Sequence, residues 1–292
     1  MSSLSAERVV WTEPNSRVTT RWHATGRGLA TGLWLAATSV ASAQEMLNMP
    51  AATAPSPGVL IPRAQARAYF YEGGQALLEQ DLRFEYGVAR DLAISLDLPM
   101  FEGFFDDPRP SDGDFGLGDL EAIIELRILR EDLGAVDTLR GAVYAGAELP
   151  TGTGGFGSSG IDPCVGGVLT GIFGRHGFDL GARWTFVTDE SPFLPTFGGT
   201  TTDDYANLDL GYAFRLYPEA YGEERVAAWY ATVELNSIWT TGSEHEVLLS
   251  PGALLEAPTF AVELGLQIPL SWEVEDAPNL RIAAVAGLRL IF

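Results

Sequence analysis

From residue 58 onward the chain alternates between apolar and polar positions. In the stretch 78–88, Leu78, Leu82, Phe84, Tyr86 and Val88 take even positions, while Glu79, Asp81, Arg83, Glu85 and Gly87 take odd ones. Successive side chains of a strand point to opposite faces, so such a segment has one apolar and one charged face; a helix would need spacings of three and four. The same period returns in Leu120, Ala122, Ile124, Leu126 and Ile128 against Glu121, Glu125 and Arg127. It returns again in Phe178, Leu180, Ala182, Trp184 and Phe186 against Asp179, Arg183 and Thr185. Twelve segments of this kind are predicted, near 58–71, 76–89, 92–104, 116–129, 138–149, 164–174, 178–188, 204–217, 226–238, 245–255, 260–271 and 280–292. In the sixth and tenth the parity reads either way.

Strands of a soluble sandwich are usually about 5–6 residues long; these are about twice that, enough to cross a bilayer at a tilt. The connections alternate as well. Those after the second, sixth and tenth segments are tight, whereas 105–115, 150–163 and 189–203 are long and rich in Gly, Asp, Pro and Ser. Short turns on one side and long loops on the other are the asymmetry of outer-membrane barrels. An even strand number brings both ends of the sheet to the short-turn side. The fold class expected is all-β: a transmembrane, antiparallel, up-and-down β-barrel of twelve strands over 58–292. A secreted β-sandwich is the rival, with its apolar face turned inward. Phe104, Trp239 and Trp272 lie near strand ends, where interfacial aromatic girdles are found.

The start and end of the chain fit export to that membrane. Arg17, Arg21 and Arg27 precede the apolar run 28–40, and Ala41-Ser42-Ala43 follows as a small-x-small triplet. That order marks a signal peptide, 1–43, with cleavage after Ala43. Residues 44–57 read as a flexible lead-in. The last segment alternates down to Phe292, which resembles the terminal signal read by the barrel-insertion machinery.

Composition narrows the function. With 18 basic residues, all arginine, against 39 acidic ones, the net charge is −21, which makes nucleic acid a poor partner. The single cysteine, Cys164, excludes an internal disulfide. If the apolar faces meet lipid, Arg63, Arg67, Arg83, Arg127, Arg140, Arg183, Arg215, Arg281 and Arg289 fall on the lumen side. Beside them stand Glu79, Asp81, Glu85, Asp97, Asp119, Glu121, Glu125, Glu148, Asp179, Asp209, Glu234 and Glu263. Such a lining makes either an acidic pore or a ladder of Arg–carboxylate pairs that fills the barrel. Arg90, Arg130, Arg175 and Arg225 fall in short turns and Arg109 in a long loop.

Other chemistry is thinly supported. His245 with Ser243, two residues apart on one strand, would share a face as base and nucleophile do. His176 lies in a tight turn, where nothing resembles a substrate site. Asp106, Asp107, Asp112 and Asp114 could bind a divalent cation through oxygen ligands, but their spacing is not that of an EF-hand. The glycines 152, 154, 155 and 157 form a flexible loop tip without the Lys-Ser/Thr of a phosphate loop. No catalytic residue, cofactor or metal is expected.

Several phrases resemble the outer-membrane transporters grouped as the "MetA-pathway of phenol degradation" family. They are Gly116-Leu117-Gly118-Asp119, Glu148-Leu149-Pro150-Thr151-Gly152, Leu249-Ser250-Pro251-Gly252 and the stretch 264–270, Leu-Gly-Leu-Gln-Ile-Pro-Leu. The resemblance implies a barrel proposed to pass or bind small, often hydrophobic, compounds. The function expected is therefore passive passage of small, hydrophobic or cationic solutes across the outer membrane, with lipid and lipopolysaccharide as surroundings. A structural or adhesive barrel with a filled lumen is the first alternative, an outer-membrane barrel hydrolase the second.

Overall fold

The computed structural model describes residues 45–104, 115–189, 193–194, 199–220, 227–274 and 278–292. The signal peptide 1–43, the acidic cluster 106–114, Arg109 and Arg225 lie outside these residues. The twelve long strands are β1 Leu60–Tyr71, β2 Ala76–Ala89, β3 Leu92–Phe104, β4 Leu120–Asp132, β5 Thr138–Leu149, β6 Asp162–Phe173, β7 His176–Thr185, β8 Tyr205–Tyr217, β9 Ala228–Thr240, β10 His245–Glu256, β11 Phe260–Glu273 and β12 Leu280–Leu290. Each pairs antiparallel with its chain neighbours, and β12 pairs with β1 from Arg63↔Arg289 to Tyr71↔Leu280, which closes the barrel. A short strand, Phe115–Leu117, adds to β3, and Phe193–Leu194 pairs with Gly199–Thr200 in the β7–β8 connection.

Alternation makes this sheet inside out relative to a soluble one. Phe84, Leu96, Ile124, Ile128, Leu180, Leu208, Leu210 and Leu264 all lie on the outer face, each more than two-fifths exposed. Arg63, Glu79, Asp179, Glu234, Glu263 and Arg289 are buried within. An apolar exterior running around the whole wall far exceeds the patches that water tolerates on a monomer, and suits hydrocarbon. Closure leaves no free sheet edge, the other demand a bilayer makes. Among the described residues no helix is long and apolar enough to cross a membrane.

Five bulges interrupt the strand register, and those in β12, β11 and β4 move residues of the expected lining or girdle. Between Phe70↔Ile282 and Tyr71↔Leu280, one extra residue, Arg281, bulges out of β12. A one-residue slip sends a side chain to the opposite face, so Leu280 turns inward and Arg281 is exposed. Between Val247↔Ser271 and Leu248↔Pro269 the extra residue is Leu270. Trp272 therefore packs against the inner cluster of Tyr69, Tyr71, Leu77, Phe101 and Phe156 rather than joining a lipid-facing girdle. A third bulge between Arg127 and Leu129 ends the regular inward series of β4.

The lead-in also differs from expectation. Met46, Leu47, Met49 and Ala52 are buried inside the barrel. Only at Gly58, whose φ of 83° turns the chain, does it leave the lumen to start β1.

Candidate functional site

Ion pairs across neighbouring strands line the lumen. Arg67 faces Glu79 in register and reaches Asp81 at 2.6 Å; Arg83 faces Asp97 and pairs with it at 2.6 Å. Opposite charges directly across a strand pair support the register. Glu121 and Glu148 are like charges in facing positions. Arg183, from β7, relieves them by contacting both at 2.9 Å. At the closing pair of strands Arg63 and Arg289 face one another. Glu263, fully buried, sits between them, 2.6 Å from Arg63 and 2.7 Å from Arg289.

The segment 45–57 completes this set. Glu45 accepts from Arg289 and lies 3.4 Å from Arg63, so two cations meet two carboxylates. Arg63 and Gln65 donate to the Leu47 carbonyl at 2.8 and 2.9 Å. The N–H groups of Leu47 and Asn48 donate to Glu234 at 2.9 and 3.0 Å, and that of Ala52 to Thr170 Oγ1 at 2.9 Å. Backbone with no strand partner is thus satisfied by wall side chains, as burial requires. Glycines make the room: a Cβ on Gly211 would stand 2.8 Å from Met46 Cγ, and one on Gly252 3.2 Å from Leu47 Cδ1. The segment runs past β12, β11, β9, β8 and β6, and its Ser56 lies against Gly87 in β2.

Toward the long-loop end, Tyr69, Tyr71, Leu77, Phe101, Leu248 and Leu280 form an apolar cluster inside the wall. Phe156, from the β5–β6 loop, stacks on Phe101 at 5.1 Å. Asp119 fastens that loop by accepting from the N–H groups of Thr151, Gly152 and Ser158 at 3.0, 2.8 and 2.6 Å. The glycine tip expected to be flexible is therefore held to the wall, with Gly154 and Gly155 at φ of 67° and 81°.

Space remains along β2–β8. One chamber, of about 190 Å³, lies between the segment (Glu45, Asn48, Pro50, Ala51, Thr53) and Arg83, Glu85, Asp97, Glu121, Glu125, Tyr144, Arg183, Asn207 and Asp209. A second, of about 230 Å³, is lined by Arg67, Glu79, Asp81, Asp119, Glu148, Tyr205 and Phe156. Arg83, Asp97 and Glu121 border both. In the first chamber six carboxylates face two arginines. Asp97 Oδ1 and Glu125 Oε1 are buried and accept no hydrogen bond among the described residues.

Most of the expected lining is thus gathered in one lumen, but some members do other work. Arg127 leaves the lumen axis to bond Asp91 in the β2–β3 turn, with its Nε at 3.0 Å. In that turn this hydrogen bond holds the Asp91 carboxyl below the usual range. Arg140 bonds the Glu131 carbonyl and Asp132 at the β4–β5 turn, and Arg215 bonds the Pro218 carbonyl. Asp179 accepts from Thr170, and Asp209 from Asn236 at 3.1 Å. Arg281 lies outside. Glu45, Asn48, Tyr144, Tyr205 and Asn207 were missed. The one trace in the sequence is the inward glycines Gly181, Gly211, Gly252 and Gly265, which leave a wall that something else must fill.

Ser243 sits in the β9–β10 turn with φ of 78°, not beside His245 on a strand. The partner of His245 is Ser271, whose Oγ is 2.9 Å from Nε2, while Glu273 is 3.4 Å from Nδ1. Cys164 is buried and unbonded to sulfur.

The fold is that of an outer membrane β-barrel. An outer membrane channel from Pseudomonas putida F1 superposes with a TM-score of 0.56 at 14% identity, over 82% of this chain and 97% of that one. The β domain of the Bordetella autotransporter BrkA matches at 13% identity over 82% and 100% of the two chains, with a TM-score of 0.42. The translocator domain of NalP from Neisseria meningitidis matches at 12% over 82% and 90%, with 0.43. No protein-family model and no curated protein matches the sequence, so the resemblance in short phrases stands at the level of the barrel.

Proposed function

We propose that the chain is a passive outer-membrane channel for small solutes, favouring cations, narrowed by its own segment 45–57. The observation that carries this reading is the acidic chamber beside the segment. There Asp97 and Glu125 stand in the lining, and their buried Oδ1 and Oε1 accept no hydrogen bond among the described residues. Carboxylates held in a narrow, low-dielectric passage attract cations and repel anions. In this reading residues 1–43 direct export, Phe292 serves the insertion machinery, and the apolar wall sits in lipid with lipopolysaccharide outside. Single-channel recording across planar bilayers under a salt gradient tests it. Discrete steps with a cation-selective reversal potential are expected. Silence from a folded barrel, shown by heat-modifiable gel mobility, would turn the reading to a filled structural barrel whose loops act at the surface.

A second reading, a surface hydrolase, is favoured by the Ser271–His245–Glu273 arrangement alone, in which serine, imidazole and carboxylate stand in the order of a triad. Its test is labelling of Ser271 by a fluorophosphonate, lost in Ser271→Ala and His245→Ala.

A further inference from the structure

The outer wall carries a hollow near the short-turn end of β6–β9. Leu169, Leu180, Leu210 and Leu235 form one outward row across these four strands. Two residues toward the short turns, the next row is Gly171, Phe178, Tyr212 and Val233. Glycine and valine there let the wall recede, leaving a hollow of about 510 Å³ with an almost wholly apolar lining.

Its short-turn end is polar and built. His176 Nδ1 is 2.8 Å from Tyr212 Oη, and the His176 ring lies 5.1 Å from that of Phe214. The Arg175 guanidinium sits 4.7 Å over the Phe214 ring. Its Nε and Nη2 donate to the carbonyls of Arg215 and Leu216 at 2.8 and 3.0 Å. Those bonds fix the cation through two of its nitrogens and leave Nη1 for another partner. Its only carboxylate neighbour among the described residues is the highly exposed Glu219, 3.7 Å away. A pre-oriented guanidinium beside an imidazole is a phosphate-recognising pair. An apolar hollow of this size immediately above it suits a hydrocarbon chain.

We propose that this surface is a seat for one glycerophospholipid of the periplasmic leaflet, its phosphate on Arg175 and His176 and an acyl chain in the hollow. The assignment rests on the outer-membrane reading. Short turns lie on the periplasmic side of such barrels, which places the polar end at that headgroup level. It binds lipid on the outside of the wall, apart from the lumen.

The test is native mass spectrometry and phosphorus assay on the full chain, extracted from membranes in mild detergent. Wild type is expected to retain one phospholipid per barrel. Arg175→Gln should lose it, and so should Val233→Phe, which fills the hollow without touching the arginine. Arg130→Gln, an exposed arginine at the short-turn end of β4, should keep it. Should Arg175→Gln not fold, Val233→Phe reads the same loss. A folded wild-type barrel without phospholipid overturns the seat alone, as does equal retention in Arg175→Gln and Val233→Phe. Bound lipopolysaccharide in its place overturns the leaflet and the headgroup assigned. Absence of the wild type from the membrane fraction, or of heat-modifiable mobility, would instead overturn the outer-membrane reading.

Discussion

Arg289 in β12 donates to Glu45 of the lumenal segment through one terminal nitrogen and to Glu263 of β11 through the other, 2.7 Å away. Glu45 is thus the segment's charged anchor. Glu45→Gln keeps its shape and removes the charge, leaving two arginines to share one carboxylate. The segment should leave its seat, and single-channel conductance should rise. Unchanged conductance would show that the segment does not narrow the passage.

Glu263→Gln should cost more. Its carboxylate is fully buried between Arg63 and Arg289, and removing one member of a buried ion network costs about 3–5 kcal/mol. The urea midpoint of the heat-modifiable folded form should fall further than for Glu45→Gln.

Steric eviction should mimic the loss of Glu45. Gly211→Val puts atoms where Met46 Cγ would be 2.8 Å from the first carbon added, an overpacking worth about 1–3 kcal/mol. Proteolysis from the short-turn side should cut residues 45–57 in this variant and spare them in the wild type.

Two chamber variants should shift selectivity in opposite directions. Glu125→Gln removes a carboxylate that faces the chamber, so the reversal potential should move toward zero. Arg83→Gln strips Asp97 of its 2.6 Å partner, so cation preference should strengthen wherever Asp97 stays ionised. Equal, same-signed shifts would count against charge selection in this chamber.

The strand number, antiparallel order and inverted faces were legible because period two is clear in ten of the twelve segments and turn-rich connections separate them all. What stayed hidden was set by single residues. Arg281 and Trp272 were assigned to the wrong faces since a bulge flips parity without changing composition. Ser271 was overlooked for the same reason, lying beyond the Leu270 bulge. Arg127, Arg140 and Arg215 were placed on the correct side of the wall but bond turn residues, because their depth depends on register, which alternation does not fix. The segment 45–57 carries no periodicity at all. Its place is set by wall groups, Glu234 and Thr170 above all, that accept from its backbone N–H groups.

A turn offers a pH test. The Arg127 hydrogen bond lowers the folded-state pKa of Asp91. A depressed carboxylate adds stability that is full above its unfolded value, near 3.8, and disappears as pH falls through the folded value. Asp91→Asn should therefore lower stability at neutral pH by about 0.2–1 kcal/mol, as exposed pairs do, and leave it unaltered in strong acid. Unfolding midpoints at pH 7 and near the acid limit measure the difference.

Arg63 and Arg289 meet across the one junction that turns a sheet into a cylinder. Like charges in facing positions resist that meeting, and Glu263 alone offsets only half of them. Glu45 supplies the missing charge, and it arrives only with the segment inside. Seam and lumenal segment thus stabilise one another, because the charge that settles the closing strands is carried by the thread they enclose.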